Sequence, residues 1–488
     1  MPKRNLPLRS VWDEEHVGSV LKPWHYVKLH HYLIHDRASR GLETPLSDIP
    51  YDRWMVSPEA VVALQRDLNM CTSKVVERLD SARGDSTKLL IELQDGHRVE
   101  TVVMRHFKHA TVCVSSQIGC KMGCRFCATG TMGIIGDLTS GEIIEQLMHA
   151  RAVAKIRNVV FMGMGEPLNN FENVKTAVRF MVDARRFGLS PRQVTVSTVG
   201  VLKNMRRLTD ELPLVNMALS LHAPSQSVRI KIVPAAAAHH IDALLSAVDY
   251  HIARSNSTTA TRGQQPTIAE TREEEDDDNN GDDDGDNDDD GKRARGGGGG
   301  VVVGGGTYNQ FRRRMHSSGV MIEYILIKDI NDRVDHAHEL GRLLGPRSDF
   351  VLLNLIPYNP TTVAEDFEPP ADDDVQRFFQ ICSSAPYRIH TRVRGEKGQD
   401  IEAACGQLAL VKPGEGRSRA VSSVDVEDLR GPGLLGASSG GRKAAAAPFP
   451  RAAGKAKAEV EAEPKQWLSM GLWLGLPALA LALSAGKR

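Results

Sequence analysis

The stretch "GCKMGCRFCATG", residues 119–130, sets Cys120, Cys124 and Cys127 in a C-x3-C-x2-C spacing. Thiolates at this spacing, on a loop freed by Gly119 and Gly123, can wrap an iron–sulfur cube and leave one iron without a protein ligand. An open iron can chelate a small molecule, which a fully ligated electron-transfer cluster cannot do. Structural zinc completed by a distant His is the other reading of these thiols, although zinc motifs usually come as paired C-x2-C units. The chain has seven cysteines, sparse and odd in number. A secreted disulfide framework is therefore not expected, and a reducing intracellular compartment is: the cytoplasm, with an organelle as the alternative.

Such a loop must be positioned by regular elements. From Thr111 onward, short β-branched runs alternate with amphipathic helices: "TVCVSS", "NVVFMG", "VTVSTVG", "VNMALSL", "MIEYILI" and "FVLLNLI". Six strand–helix repeats predict an α/β fold with a parallel sheet that curves into a partial (β/α)6 barrel. Thr139 and Glu142 form a capping-box pattern ahead of Ile143, Ile144 and Leu147. Val174, Val178 and Met181 share the face of a second helix that Gly188 is expected to end. Before the first barrel strand, "LLIELQDGHRVETVVM" reads as a β-hairpin about Asp95-Gly96, a pair suited to a type I′ turn. These features divide the chain into a small N-terminal accessory domain (1–88), a hairpin linker (89–106), a catalytic core (107–411) and a low-complexity tail (412–488).

At 488 residues and 41% hydrophobic content the chain is enzyme-sized, and its formal net charge is zero. That average hides an asymmetry. Glu270–Asp290 holds 14 acids against Arg272, a charge of −13, which leaves 60 Lys+Arg against 47 Asp+Glu elsewhere, or +13. A basic body suits a polyanionic partner. The acidic run and a "GGGGG" tract fall within 255–306, a stretch expected to be a disordered insertion because it cannot bury enough apolar surface. Residues 468–485 form an uncharged apolar segment near spanning length, so a C-terminal membrane anchor is conceivable, though Pro477 counts against it. Asp13, Glu14 and Glu15 argue against an ordinary signal or transit segment.

The triple-cysteine loop after a first strand, with Phe126 just before its last thiol, resembles the signature of radical S-adenosylmethionine enzymes. More narrowly, "CVSSQIGCKMGCRFCATG", "GMGEPLNN", "STVG", "SLHAP", "IPYNP" and "DIEAACGQL" resemble the RNA adenine-C2 methyltransferases of that superfamily, over about Leu89–Leu408. The resemblance implies a 4Fe-4S cluster on Cys120, Cys124 and Cys127. It implies S-adenosylmethionine contacts from Gly165, Glu166, Ser197, Ser220, Leu221, His222 and Asn359. Singly, Gly165 could be a plain turn and His222 a core histidine. Four of the motifs, however, close the second, third, fourth and sixth strands, at the carboxyl ends where α/β folds place their sites.

The same resemblance implies a two-cysteine mechanism. Adenine C2 is electron-poor and cannot attack an electrophilic methyl group, so a carbon radical is needed. Cys405 would take a methyl from one S-adenosylmethionine, and a deoxyadenosyl radical from a second would activate it for addition to C2. Glu100 would accept the C2 proton, and Cys113 would attack the Cys405 sulfur to release product and leave a disulfide. Implied partners are ribosomal RNA and transfer RNA, a one-electron reductant such as flavodoxin or ferredoxin, and a thiol reductant. The target adenosine must be unstacked to reach a buried cluster. Cys71 and Cys382 match no motif and read as packing thiols. A relative acting on adenine C8 would carry the same cysteines. A catalytically silent RNA-binding protein would lack one of them, and none is missing.

Overall fold

The computed structural model describes residues 4–36, 42, 44–263, 319–361, 363, 366–395 and 397–408. The N-terminal segment forms helices α1 (Glu14–Gly18), α2 (Pro23–His31) and α3 (Pro58–Asp67). Each start is legible locally: Asp13 accepts from Glu15 N at 3.1 Å, and Ser57 precedes Pro58 at the first turn of α3. Strands β1 (Lys74–Asp80), β2 (Ser86–Glu92) and β3 (Arg98–Arg105) follow as an antiparallel meander. Residue 88, drawn above as a domain end, lies inside β2.

The β2–β3 hairpin is present but its turn differs from expectation. A type I′ turn needs two central residues with positive φ. Here Gly96 has φ +80° while Asp95 does not, and Leu93 N donates to His97 O at 2.8 Å. A three-residue loop with a left-handed glycine closes the hairpin instead.

Strand β4 (Ala110–Cys113) leads to a small ribbon, β5 (Gln117–Cys120) and β6 (Gly133–Asp137), which brackets α4 (Ala128–Thr131). The chain then alternates through α5 (Ser140–Arg151), β7 (Ile156–Phe161), α6 (Phe171–Val182), β8 (Val194–Thr198), α7 (Leu202–Glu211) and β9 (Asn216–Ser220). It continues through α8 (Gln226–Ile232), α9 (Ile241–Gly263), β10 (Val320–Leu326), α10 (Val334–Leu344), β11 (Val351–Pro357), α11 (Asp372–Ser383) and β12 (His390–Val393).

One ten-stranded sheet runs β1-β2-β3-β4-β7-β8-β9-β10-β11-β12. The six expected strands are β4 and β7 to β11, all parallel and in chain order. β12 adds a seventh parallel strand. The sheet curves as an open barrel, with the antiparallel meander continuing from β4. Strands such as β8 and β11 are buried almost throughout, as parallel strands covered on both faces must be. The edge strand β1 is mostly exposed and carries Lys74, Glu77 and Arg78, charges that discourage edge pairing.

The capping box of α5 is complete: Glu142 N donates to Thr139 Oγ1 at 3.1 Å and Thr139 N to Glu142 Oε2 at 2.9 Å. Val174, Val178 and Met181 are fully buried on α6, but this helix stops at Val182. Gly188, expected as its terminator, instead closes the following loop, its N–H donating to Asp183 O at 3.1 Å. The N-terminal segment shares the barrel's core rather than forming its own. Trp12 is fully buried, donates from Nε1 to Met70 O at 2.8 Å, and packs on Phe180 of α6. Residues 255–263, expected to open a disordered insertion, are helical instead, because α9 runs on to Gly263 and Ser255 is buried with its hydroxyl donating to Pro213 O. The rest of that stretch and the tail lie outside the described residues. Among the described residues no helix is long and apolar enough to cross a membrane, and the 468–485 segment is not among them.

Candidate active site

The cysteine loop is fixed by a close approach of backbone. Gly119 has φ +75°, and a Cβ there would lie 2.0 Å from the Gly133 carbonyl oxygen, so β5 and β6 can meet only with glycine at this point. From there the loop delivers Cys120 and Cys124 into buried positions and Cys127 into a half-buried one. Around them lies an apolar shell that includes Phe126, Ile232, Val233, Ile325 and Tyr358.

Burial pushes the Cys120 thiol up to about 12 and the Cys124 thiol well above its ordinary range, and the neighbouring thiols push further. Cys127 is raised for the same first reason. Thiols that oppose one another's ionisation become a set of thiolates only with a cationic centre among them. Three thiols presented by one loop within an apolar shell are a donor set that fits three corners of a 4Fe-4S cluster.

The strand ends above the loop carry the other expected ligand residues. Gly165 has φ +99°, and a Cβ there would lie 2.6 Å from Gln117 Cβ, so the "GMGEPL" turn is pressed against β5. Glu166 is buried and its carboxyl is pushed up to about 7 by that burial. Both its oxygens are engaged: Oε2 accepts from Val199 N at 2.9 Å and Oε1 from Leu168 N at 3.0 Å. Glu166 therefore ties the end of β8 to the "GMGEPL" turn. Ser197 and Ser220 bring their hydroxyls to 3.2 Å across β8 and β9.

His222 sits at φ +59°, and burial drives its imidazole down to about 3. Its Nδ1 accepts from Ile325 N at 3.1 Å, and its ring meets Phe126 of the cysteine loop edge-on, with centroids 4.9 Å apart. Leu221 is buried, and its carbonyl accepts from Arg229 Nε at 2.9 Å. The Arg229 guanidinium also donates to Val199 O at 2.5 Å and Ser220 O at 3.2 Å, joining the ends of β8 and β9. Arg229 lies near Cys124 and lowers that thiol's proton affinity.

The second group of residues gathers at the segment 398–408. Asn359 donates from Nδ2 to Cys405 O at 3.2 Å and accepts at Oδ1 from Gln399 Nε2 at 2.8 Å. Ala128 N donates to Gly406 O at 2.8 Å, and Thr129 Oγ1 to Leu408 O, so the cysteine loop and the Cys405 segment are stitched together. The Arg394 guanidinium faces Cys405, Glu323 and Cys113, and Cys405 first among them raises its proton affinity. Cys113 is buried on β4, and its thiol is pushed up to about 12 by burial and by Cys405, with Arg394 opposing. Glu100 is buried on β3, with Lys88 Nζ 3.1 Å from its Oε1.

The structure thus brings every sequence-expected site residue to the carboxyl-end face of the sheet or to the strands beside it. Arg394, Arg229, Lys88 and Glu323 escaped the sequence reading. None left a signal there: a two-residue turn at Asp95-Gly96 would have paired Lys88 with Val103 and set it on the face opposite Glu100, whereas the observed register pairs it with Val102.

Known proteins are similar to this chain over most of its length. The profile of the Radical SAM superfamily matches residues 114–271. The "Dual-specificity RNA methyltransferase RlmN 1" of Myxococcus xanthus is 32% identical over 397 residues, covering 80% of this chain and 91% of that protein. The chain belongs to the RlmN family of radical SAM methyltransferases. A second member of the RlmN family, the "Ribosomal RNA large subunit methyltransferase N" of Nitrosopumilus maritimus, is 35% identical over 69% of this chain and 80% of its own length. A crystal structure of a radical SAM methyltransferase from Sphaerobacter thermophilus superposes with a TM-score of 0.61 at 28% identity, covering 82% of this chain and 99% of that one. For an RlmN-family chain, the stitching of the Cys405 segment to the cysteine loop is the feature that its chemistry must explain.

Proposed function

We propose that this chain methylates C2 of adenine in ribosomal and transfer RNA through a methyl group carried on Cys405. One observation carries the reading: two thiols from distant parts of the chain, Cys113 and Cys405, share the Arg394 guanidinium beside a three-cysteine loop. Cys120, Cys124 and Cys127 would hold a 4Fe-4S cluster, with S-adenosylmethionine against Gly165, Glu166, Ser197, Ser220, Leu221, His222 and Asn359. When bound, the cluster and its S-adenosylmethionine supply one-electron chemistry that makes a carbon radical.

The residues of the chain do the rest. Arg394 faces the Cys405 sulfur, which takes a methyl group by displacement as its thiolate. Once that carbon radical had taken a hydrogen atom from the Cys405 S-methyl group, the methylene carbon would join C2, one electron would pass back to the cluster, and enzyme and RNA would be covalently linked through the Cys405 sulfur. Glu100 accepts the C2 proton. Cys113 attacks the Cys405 sulfur: a sulfur–sulfur bond forms, the carbon–sulfur bond breaks, and its electron pair stays with the methylene carbon, which takes a proton to become methyl. An external thiol reduces the disulfide, and a flavodoxin- or ferredoxin-like protein supplies electrons to the cluster, in a reducing compartment such as the cytoplasm.

The test uses reconstituted enzyme with S-adenosylmethionine, reductant and each RNA class. Cys113→Ala should form the adduct and fail to resolve it, so an RNA-linked band accumulates on a denaturing gel. Cys405→Ala should give neither adduct nor product. Methylated enzyme with free, unmodified RNA in the Cys113→Ala reaction would refute the assignment, and an 8-methyl nucleoside from wild type would refute the C2 site.

A further inference from the structure

The hairpin register places more than Glu100 on the face that carries Cys113. Lys88 on β2 pairs with Val102 on β3, and Val102 pairs with Cys113 on β4. Residues directly opposite in a sheet point to the same side, and Glu100, two residues before Val102, points there too. Lys88 is 4% exposed and Glu100 1%. An ammonium so buried is costly unless it is paired and hydrogen-bonded. Its Nζ lies 3.1 Å from Glu100 Oε1 and donates to the Glu402 carbonyl oxygen at 3.2 Å. Glu402 stands three residues before Cys405, on the same short segment.

We propose that Lys88 is a positioning residue for the reaction, holding Glu100 ionised in its buried site and tying it to the segment that delivers Cys405. This rests on the proposed role of Glu100 as proton acceptor. A buried carboxylate alone would hold a proton and could not take one from C2, and an opposite charge in contact restores the ionised form. On this face Lys88 of β2 contacts Glu100, and Cys113 of β4 lies opposite Val102, with Arg394 facing Cys113 and Cys405. Lys88 is a cation in contact with Glu100. When Glu100 takes the C2 proton the pair loses its charge balance, and the ammonium then favours passing that proton onward, which resets the site.

The experiment follows the RNA-linked band in a single turnover of reconstituted enzyme, from pH 6.5 to 9, for wild type, Lys88→Met, Lys88→Arg and Glu100→Gln. Mass spectrometry of Cys405 methylation, a step Lys88 does not serve, reports that each variant is folded and charged. Lys88→Met should methylate Cys405 and form the adduct, but at pH 7 its adduct should decay about tenfold more slowly, with the rising limb of the profile shifted about one pH unit or more alkaline. Lys88→Arg should restore most of the rate. A Lys88→Met decay that matches wild type at every pH, or one slowed equally at every pH, overturns the inference. If Lys88→Met fails to methylate Cys405, Lys88→Gln, which can still donate to the Glu402 carbonyl, takes its place under the same criteria. Glu100→Gln separates the two levels: an adduct trapped at every pH upholds the proton-acceptor reading whatever Lys88 does, and a freely resolving Glu100→Gln removes both.

Discussion

A buried arginine whose side chain, among the described residues, hydrogen-bonds only backbone carbonyls is uncommon, and Arg229 shows what it accomplishes. It is 1% exposed, and its hydrogen bonds go to the carbonyls of Val199, Ser220 and Leu221. Burial pulls its proton affinity down to about 10, which still leaves it charged at neutral pH. The planar fork joins two strand ends that carry Ser197, Ser220 and His222, and it sets a positive charge beside a thiol-lined site. Replacing it with methionine strands buried carbonyls, each costing about 1–3 kcal/mol. Arg229→Met should therefore lower unfolding free energy by about 3 kcal/mol or more in urea titrations, with Arg229→Lys intermediate because it keeps the charge and loses the fork. A change under about 1 kcal/mol would contradict this account.

At the scale of elements, the capping box of α5 does more than start a helix. Arg4 clamps Glu142 with Nη1–Oε2 2.7 Å and Nη2–Oε1 2.8 Å, while its Nε reaches Asp95 Oδ2 at 2.7 Å in the β2–β3 turn. All three side chains are below 10% exposed. One residue near the start of the chain thus joins the meander to the first barrel helix. Breaking a buried pair by removing one partner costs about 3–5 kcal/mol, whereas losing an N-cap costs about 1 kcal/mol. Arg4→Ala should accordingly destabilise about threefold more than Thr139→Ala in denaturant titrations, and the double mutant should fall short of additivity because both act on Glu142.

Over the whole molecule, the shared core imposes a pH dependence. His30, packed between Trp12 and Phe180, is held down to about 3, and His251, at the α7–α9 contact, to about 4, each by burial first. A histidine with depressed folded proton affinity takes a proton on unfolding, so its contribution to stability is lost as pH falls from about 6.5 toward the folded value. For His251 that window is about 6.5 to 4. In His251→Phe the loss is absent: relative to wild type, the variant should gain about 1.4 kcal/mol per pH unit on acidification through this window, on top of a constant offset for its lost bond to Thr209. Urea midpoints at several pH values measure it, and a difference independent of pH would contradict the burial argument.

The local features were legible in the sequence because their causes are local. Parallel strands covered on both faces read as apolar runs, Thr139 and Glu142 announce a helix start, and the cysteine spacing announces its chemistry within eight residues. The β2–β3 turn was misjudged because Asp95-Gly96 permits more than one loop length and the strand register chooses. β12 was missed because four residues carry too little alternation, and its partner β11 supplies the hydrogen bonds that make it a strand. Long-range neighbours decided the rest. Lys88 and Glu402 are 314 residues apart, and Cys113 and Cys405 meet at Arg394 only because β4, β12 and the 398–408 segment converge. A sequence determines which side chains exist and how each short stretch tends to bend; which charges face one another in a buried site follows from strand order and register, quantities that no single stretch contains.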